Sequence, residues 1–317
     1  MHRLLARAAQ HHKGRRFTAV AFAFLAAVFA NEAAPAKAVE SPALLPGAVT
    51  TGTIPAPAKP YEIRITQTRK GSEGLELNAR LDAAGGYILR PISWTVRESA
   101  PGISGPGETV FSSSAPLADM VVAPGRYEIE AHYGHALSRH TIEVLPGTRI
   151  AMTLILNVGG VRALTRVAGV DASRIAGASH TIISLDEANG EKIIATSVAQ
   201  GEIVRLPAGR YRIESRFAGG NTVASADVTV KPGILTSMQI DHQAALARLT
   251  IPAGRDTPVN WQIKSLDDNW SKDGKTSKVS LVLAPGRYMF SATVRGHVLN
   301  RKVRLEPGKA TVVLLSE

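Results

Sequence analysis

Three histidines within nine residues, His132, His135 and His140, are the first group in this chain whose type and spacing could hold a metal ion. Zinc requires imidazole nitrogens that converge to about 2.1 Å. A turn at Gly134 sends the chain back on itself, and side chains alternate along a strand. His132 then faces away from Tyr133, while His140 shares the face of Ile142 and Val144. The imidazoles fall on opposite sheet faces and read as ordinary strand and turn residues. Asp267, Asp268, Asn269, Ser271 and Asp273 bring oxygen ligands together at the density of a calcium loop. The helix–loop–helix form of that loop needs glycine at its sixth position and glutamate at its twelfth, where this chain has Lys272 and Lys278. The segment reads as a polar hairpin loop with its turn at Asp273-Gly274, an irregular surface calcium site over 267–273 being the alternative.

Catalytic chemistry finds little support. A glycosidase holds two carboxyls roughly 5–9 Å apart across a cleft, whereas Asp186-Glu187 and Asp267-Asp268 are adjacent acids near turns. There is no G-x-S-x-G elbow and no P-loop, and Gly85-Gly86 and Gly219-Gly220 lack the strand-to-helix setting that cradles phosphate. The absence of cysteine excludes disulfides, thiolate metal sites, a cysteine nucleophile and a lipid-modified cysteine anchor. The expectation is a non-enzyme with no catalytic, metal-binding or cofactor-binding residue. For recognition, Trp270 lies in a loop between Asn269 and Ser271, and Arg301 and Arg304 belong to a basic group with Arg295, Lys302 and Lys309. These three are the candidate ligand contacts. The alternatives are a partly buried loop anchor for Trp270 and edge-strand protection for the arginines. Trp94 and Trp261 have the parity of core residues beside Ile92/Val96 and Val259/Ile263.

The elements that must position such residues follow a repeat. Ala-Pro-Gly-Arg-Tyr ends at Tyr127, Pro-Ala-Gly-Arg-Tyr at Tyr211 and Ala-Pro-Gly-Arg-Tyr at Tyr288. Gly125, Gly209 and Gly286 stand two residues before each tyrosine. An alternating strand, a turn, a second alternating strand, Pro-Gly and a final apolar run follow each copy. Spacings of 84 and 77 residues between the tyrosines match small sandwich domains rather than solenoid repeats. Period-two patterns are predicted at Tyr61, Ile63 and Ile65; at Leu75, Leu77, Ala79 and Leu81; and at Ile92, Trp94 and Val96, with a Gly/Ser/Pro-rich connection up to the first repeat phrase. Module 2 is read from strands at 181–185, 203–206, 211–217, 223–230 and 235–240, with Asn189-Gly190 as the hairpin turn between the first two. Module 3 is read from 246–251, 259–263, 279–283, 288–294, 298–305 and 310–315. Segments 157–160 and 241–245 read as short linkers that restrict neighbouring modules into an extended or bent rod.

The N-terminus reads as an export signal. Arg3, Arg7, Lys13, Arg15 and Arg16 precede an apolar run over 17–30, and Ala36-Lys37-Ala38 offers a cleavage site. A run of fourteen residues, apolar except for Thr18, falls short of the ~20 that span a bilayer, so no transmembrane segment is expected in the mature chain. Removing residues 1–38 lowers the formal charge from +11 to +6, which weakens any nucleic-acid reading. The mild basicity left is compatible with an anionic envelope polymer.

The repeat phrase, its glycine eight residues on and the following Pro-Gly resemble the C-terminal half of carboxypeptidase-regulatory-like and Cna-B-like exported sandwich modules. They also resemble fibronectin type III, where the tyrosine stands one residue further from the glycine. The resemblance covers 61–317 as three copies, implies adhesion, spacing or accessory roles, and defines no functional residue. The expected fold is all-β: three tandem immunoglobulin-like antiparallel β-sandwiches after a signal peptide and Pro-rich linker. The expected division is a signal over 1–38, a Pro/Ala-rich linker over 39–60, and modules over 61–157, 158–241 and 242–317. The expected function is an exported spacer or adaptor, periplasmic or extracellular, that meets another envelope protein. The alternative is binding of a carbohydrate or anionic polysaccharide.

Overall fold

The structure, a computed structural model, describes residues 60–99, 107–171, 177–186, 190–254 and 257–316. All of them belong to one compact unit. The expected signal and all but Pro60 of the expected linker lie outside the described residues. Among the described residues every regular element is a strand, and no helix is long and apolar enough to cross a membrane.

One plan is built three times. Module 1 contains β1 (Tyr61–Gln67), β2 (Gly74–Arg80), β3 (Ser93–Glu98), β4 (Thr109–Ser113), β5 (Ala118–Val121), β6 (Gly125–Tyr133), β7 (Ala136–Val144) and β8 (Thr148–Ile155). One sheet has the order β1-β8-β2-β5 and the facing sheet β4-β3-β6-β7. Module 2 contains β9 (Val158–Val167), β10 (Ala178–Asp186), β11 (Gly190–Ala199), β12 (Ile203–Pro207), β13 (Gly209–Phe217), β14 (Val223–Val230) and β15 (Leu235–His242). Its sheets are β12-β9-β15 and β11-β10-β13-β14. Module 3 contains β16 (Ala245–Thr250), β17 (Val259–Ser265), β18 (Ser271–Gly274), β19 (Lys278–Leu283), β20 (Gly286–Val294), β21 (His297–Leu305) and β22 (Ala310–Leu314), in sheets β19-β16-β22 and β18-β17-β20-β21. The strand orders superpose, so β2, β9 and β16 are equivalent, and so on to β8, β15 and β22. Only β1 lacks counterparts.

Alternation drives the fold. Along β6, Tyr127, Ile129, Ala131 and Tyr133 are buried, and they meet Trp94 and Val96 of β3 and Leu75 and Leu77 of β2 in one apolar cluster. Trp261, Ile263, Tyr288 and Phe290 do the same in module 3. Fully burying such a side chain is worth roughly 1.5–3 kcal/mol, so each module rests on its own core without disulfides.

Several sequence-based expectations change. The connection ahead of the first repeat phrase contains β4 and β5, which at 5 and 4 residues are too short to show a period of two. Segment 157–160 is no linker, because Gly159 and Gly160 lie inside β9 and pair with Leu206 and Arg205 of β12. Segment 241–245 also shrinks, with β15 running to His242 and β16 starting at Ala245. The strand that pairs with β10 beyond its turn is β11, from Gly190, rather than the segment at 203–206; Asn189 itself lies outside the described residues. Asp273-Gly274 is no turn: both residues pair with β17, Gly274 opposite Trp261, and a side chain at Gly274 would strike the Trp261 indole. In each module one pair is parallel, β2 with β8, β9 with β15 and β16 with β22, because the strand that opens the shared plan and the one that closes it run the same way in one sheet. β1 is also more exposed than its alternation predicts, Ile63 and Ile65 both being exposed.

Candidate functional site

Each repeat tyrosine enters the core of its module and turns its hydroxyl back onto the preceding turn. Tyr127 donates to the Ala123 carbonyl at 2.8 Å, Tyr211 to Pro207 at 2.9 Å and Tyr288 to Ala284 at 2.9 Å. Gly125, Gly209 and Gly286 run beside these rings. Burial pushes all three phenol pKa values up, so each stays a neutral donor. A tyrosine corner of this kind fixes the start of the sixth strand of a sandwich.

The corners sit next to the joints between modules, and the joint is built twice. Leu81 of module 1 accepts the Val158 N–H at 3.0 Å, and Asn157 accepts the Ala208 N–H at 2.7 Å. The turn from β6 to β7 lies on β12: His135 N–H donates to the Arg205 carbonyl at 3.0 Å, and the Arg205 guanidinium covers the Tyr133 ring at 5.1 Å. Gly134 is required there twice over, by its φ of 63° and because a side chain would collide with Arg205. In the second joint the turn from β13 to β14 lies on β19, with Gly220 against the Val282 carbonyl. Asn221 accepts the Ala284 N–H and donates to the Tyr288 hydroxyl, both at 2.9 Å. Arg205 and Val282 each precede their corner tyrosine by six residues, so the same position receives the same turn.

A second contact also recurs. Asp82, after β2, approaches Gly233, and Gly169, after β9, approaches Gly308; both partners are the glycine of a Pro-Gly turn. Around the second joint Val167, Val170, Ala178 and Phe217 of module 2 form one apolar cluster with Ala244, Leu246 and Val282 of module 3. The two ends of the array differ. In module 1 the matching Pro-Gly turn is covered from within: Thr68 N–H donates to the Gly147 carbonyl at 2.8 Å, and Gly147 N–H to buried Glu73 at 3.0 Å. In module 3 the pieces that elsewhere hold the next module, 252–254 after β16 and the turn 294–297, line an open cavity of about 710 Å³ with Ser316.

The histidines at 132–140 do not converge. His132 meets Glu130 at 2.6 Å on the outer sheet face, while His140 packs edge-on to Tyr61 at 4.9 Å. Among the described residues no three His, Cys, Asp or Glu side chains are placed to hold a metal ion. In the 267–273 loop, Asp267 accepts from the Arg287 backbone at 2.7 Å and from its guanidinium at 2.7 and 2.9 Å, and Asp268 accepts the Trp270 N–H at 2.9 Å. These carboxylates are spent on turn and arginine contacts. Trp270 is half-buried and meets Tyr288 edge-to-face at 6.2 Å, so its ring supports the third corner. Arg301 and Arg304 have opposite parity on β21. Arg304 stands opposite Arg287 on the outer face, while Arg301 lies opposite Phe290 and donates to the Leu314 carbonyl at 3.0 Å. The structure does not bring Trp270, Arg301 and Arg304 into one site.

Sequence reading missed two polar clusters whose members are scattered along the chain. On the outer face of module 1, Arg97, Arg139 and His132 converge on Glu130 at 3.3, 2.6 and 2.6 Å. Hydrogen bonds from Arg139 and His132 hold its pKa down, at about 2 instead of 4.5. A carboxylate with a depressed folded pKa contributes stability that is present above pH 4.5 and lost as pH falls towards 2. Acid titration of the wild type should therefore lose stability between pH 4.5 and 2, and Glu130→Gln should flatten that limb at a cost of ~1–2 kcal/mol at pH 7, read by thermal melts across the range.

The second cluster lies inside module 2. Thr165 Oγ1 is 2.8 Å from His180 Nε2 and from Ser215 Oγ, Thr222 Oγ1 is 3.1 Å from His242 Nδ1, and the His242 ring meets Phe217 at 4.9 Å. Both histidines are buried, and His242 Nε2 has no hydrogen-bond partner. Burial lowers both pKa values, and neighbouring His180 lowers that of His242 further. Unfolded imidazoles take up protons near pH 6.5 before the folded ones do, so stability falls as pH drops below about 6.5. Melts at pH 7.5 and 5.5 should show this loss, and replacing both histidines by glutamine should reduce it to the part due to His140, whose pKa burial also lowers.

No family model matches the chain, and no curated protein matches it. Solved structures do. The TIE protein of Bacillus anthracis is 16% identical over 77% of this chain and 50% of its own, with a TM-score of 0.24. The minor pilin of Streptococcus agalactiae is 12% identical over 54% of this chain and 95% of its own, with a TM-score of 0.30. The major pilin subunit of Bacillus cereus is 8% identical over 77% of this chain and 99% of its own, with a TM-score of 0.20. The chain spans half the length of the first of these. The fold rests on this chain's own strand orders.

Proposed function

We propose that this chain is a non-enzymatic, exported spacer or adaptor of a bacterial envelope, holding binding elements at fixed separation and meeting another envelope protein. The observation that carries the reading is the joint built twice, in which the same turn lies on the same strand position of the next module. A freely hinged chain of sandwiches would have no use for Gly134 and Gly220 at these close approaches, or for an asparagine that ties one module to the tyrosine corner of the next. Two surfaces follow as partner sites: the open face at the end of module 3, lined by Val294, Arg295 and His297, and the free sheet edges, which can accept a further strand.

A photo-crosslinking residue placed at Arg295, and in a second variant at exposed Val121, tests this in the producing cell. The adaptor reading expects a discrete protein adduct from at least one position. Adducts that form a smear and collapse on glycan hydrolysis would move the chain to the polysaccharide reading, and no adduct from either position would defeat the partner sites.

A further inference from the structure

The three modules treat one sheet edge in three ways. In module 1 the outer edge of β8 is covered by β1, antiparallel from Tyr61 opposite Leu154 to Gln67 opposite Thr148. In module 2 the equivalent β15 is open but guarded by charge: Asp241 is held by Arg166 at 3.0 and 3.1 Å, and Ser237 by Arg162 at 3.0 and 3.2 Å. In module 3 the equivalent β22 is open, and no charged residue or proline stands between Lys309 and Glu317. Its outward side chains are apolar, Val312 being 63% and Leu314 45% exposed. An open edge presents unpaired N–H and C=O groups, and proteins ordinarily protect it with charge, proline or a bulge. β22 itself carries none of these, and the charges beside it are Arg248, opposite Val312 on β16, and Arg301.

The backbone is presented for pairing. Leu315 N–H donates inward to the Thr250 carbonyl at 3.1 Å, so alternation turns the peptide groups of Val312 and Leu314 to the open side. The Leu314 carbonyl accepts there from Arg301, and its second lone pair leaves room for a strand.

We propose that β22 pairs antiparallel with β22 of a second copy of this chain, about a two-fold axis at Val312, joining two three-stranded sheets into one of six strands. The reason for a second copy is self-complementarity: the two-fold sets Val312 against Val312 and small Ala310 against large Leu314, with no charged side chain on either β22. The antiparallel cover that β1 gives β8 is the same interface made within the chain. The proposal rests on the reading that free sheet edges are binding elements and names the partner at one of them. Five residues per strand bury well under ~1,000 Å², so the dimer is transient.

The chain has no cysteine, which makes the test clean. A hydrogen-bonded antiparallel pair sets Cα atoms about 5.5 Å apart, within the range a disulfide bridges. Under mild oxidation V312C should form a disulfide dimer at least about tenfold faster than V298C, whose site on β21 is equally exposed at 64%. Sedimentation of the native chain should show a concentration-dependent monomer–dimer equilibrium that V312K abolishes with an unchanged melting temperature. Equal cross-linking by the two cysteines, a chain that stays monomeric to roughly 1 mM, or assembly into large aggregates instead of dimers would overturn it. Such a failure leaves the adaptor reading intact, because cross-links at Arg295 and Val121 decide that separately.

Discussion

Replacing Tyr288 by alanine is expected to cost ~3–5 kcal/mol, the range for deleting a buried aromatic side chain. Tyr288 is 1% exposed, its ring packs with Phe290 and Trp270, and its hydroxyl joins the Ala284 carbonyl to Asn221 of the preceding module. Tyr288→Phe separates the two contributions. It keeps the ring and removes only the hydroxyl, at ~1–2 kcal/mol, since a lost hydrogen bond leaves the Ala284 carbonyl and the Asn221 amide short of a partner. The same change at Tyr211, whose hydroxyl bonds Pro207 alone among the described residues, should cost less. Urea unfolding of the three variants gives the order directly: Tyr288→Ala, then Tyr288→Phe, then Tyr211→Phe. Equal costs for the two phenylalanine variants would mean that the Asn221 link contributes nothing.

Gly220→Val is expected to open the second joint without unfolding the modules. A side chain there would collide with the Val282 carbonyl, and backbone is costly to move. Overpacking of this kind costs roughly 1–3 kcal/mol, to be met either by strain in module 3 or by parting the joint. Parting exposes Phe217, Leu246 and Val282 and frees the segment around Gln243. The variant should keep its strand content by circular dichroism while becoming sensitive to proteolysis near Gln243. An unchanged cleavage pattern would show that the joint is not held at Gly220.

The repeat was legible in the sequence because local chemistry writes it: a glycine, then a tyrosine, then strict alternation. Strands with one clean apolar face, such as β3 and β20, were equally readable. β4, β5 and β11 were not: β5 has only two inward residues, Ala118 and Met120, and edge strands β4 and β11 bury little. Gly159 and Gly160 read as linker for a related reason. Glycine signals flexibility in sequence, whereas in β9 it admits the close approach of β12 and the Lys231–Ile234 turn. Trp270, with polar neighbours, read as a candidate contact or a partly buried loop anchor, and the structure has it half-buried against Tyr288 from across the module. The joints are legible only afterwards: nothing local in Asn221 announces a bond to a residue 67 positions on.

The joint used twice should hold modules 1 to 3 in fixed relative positions. Spin labels on cysteines introduced at Leu137 in module 1 and Val298 in module 3, both exposed, measure this in one pulsed dipolar experiment on the otherwise cysteine-free chain. A single narrow distance distribution that broadens in Gly220→Val is the predicted result. A broad distribution in the wild type, unchanged by that substitution, would contradict the account.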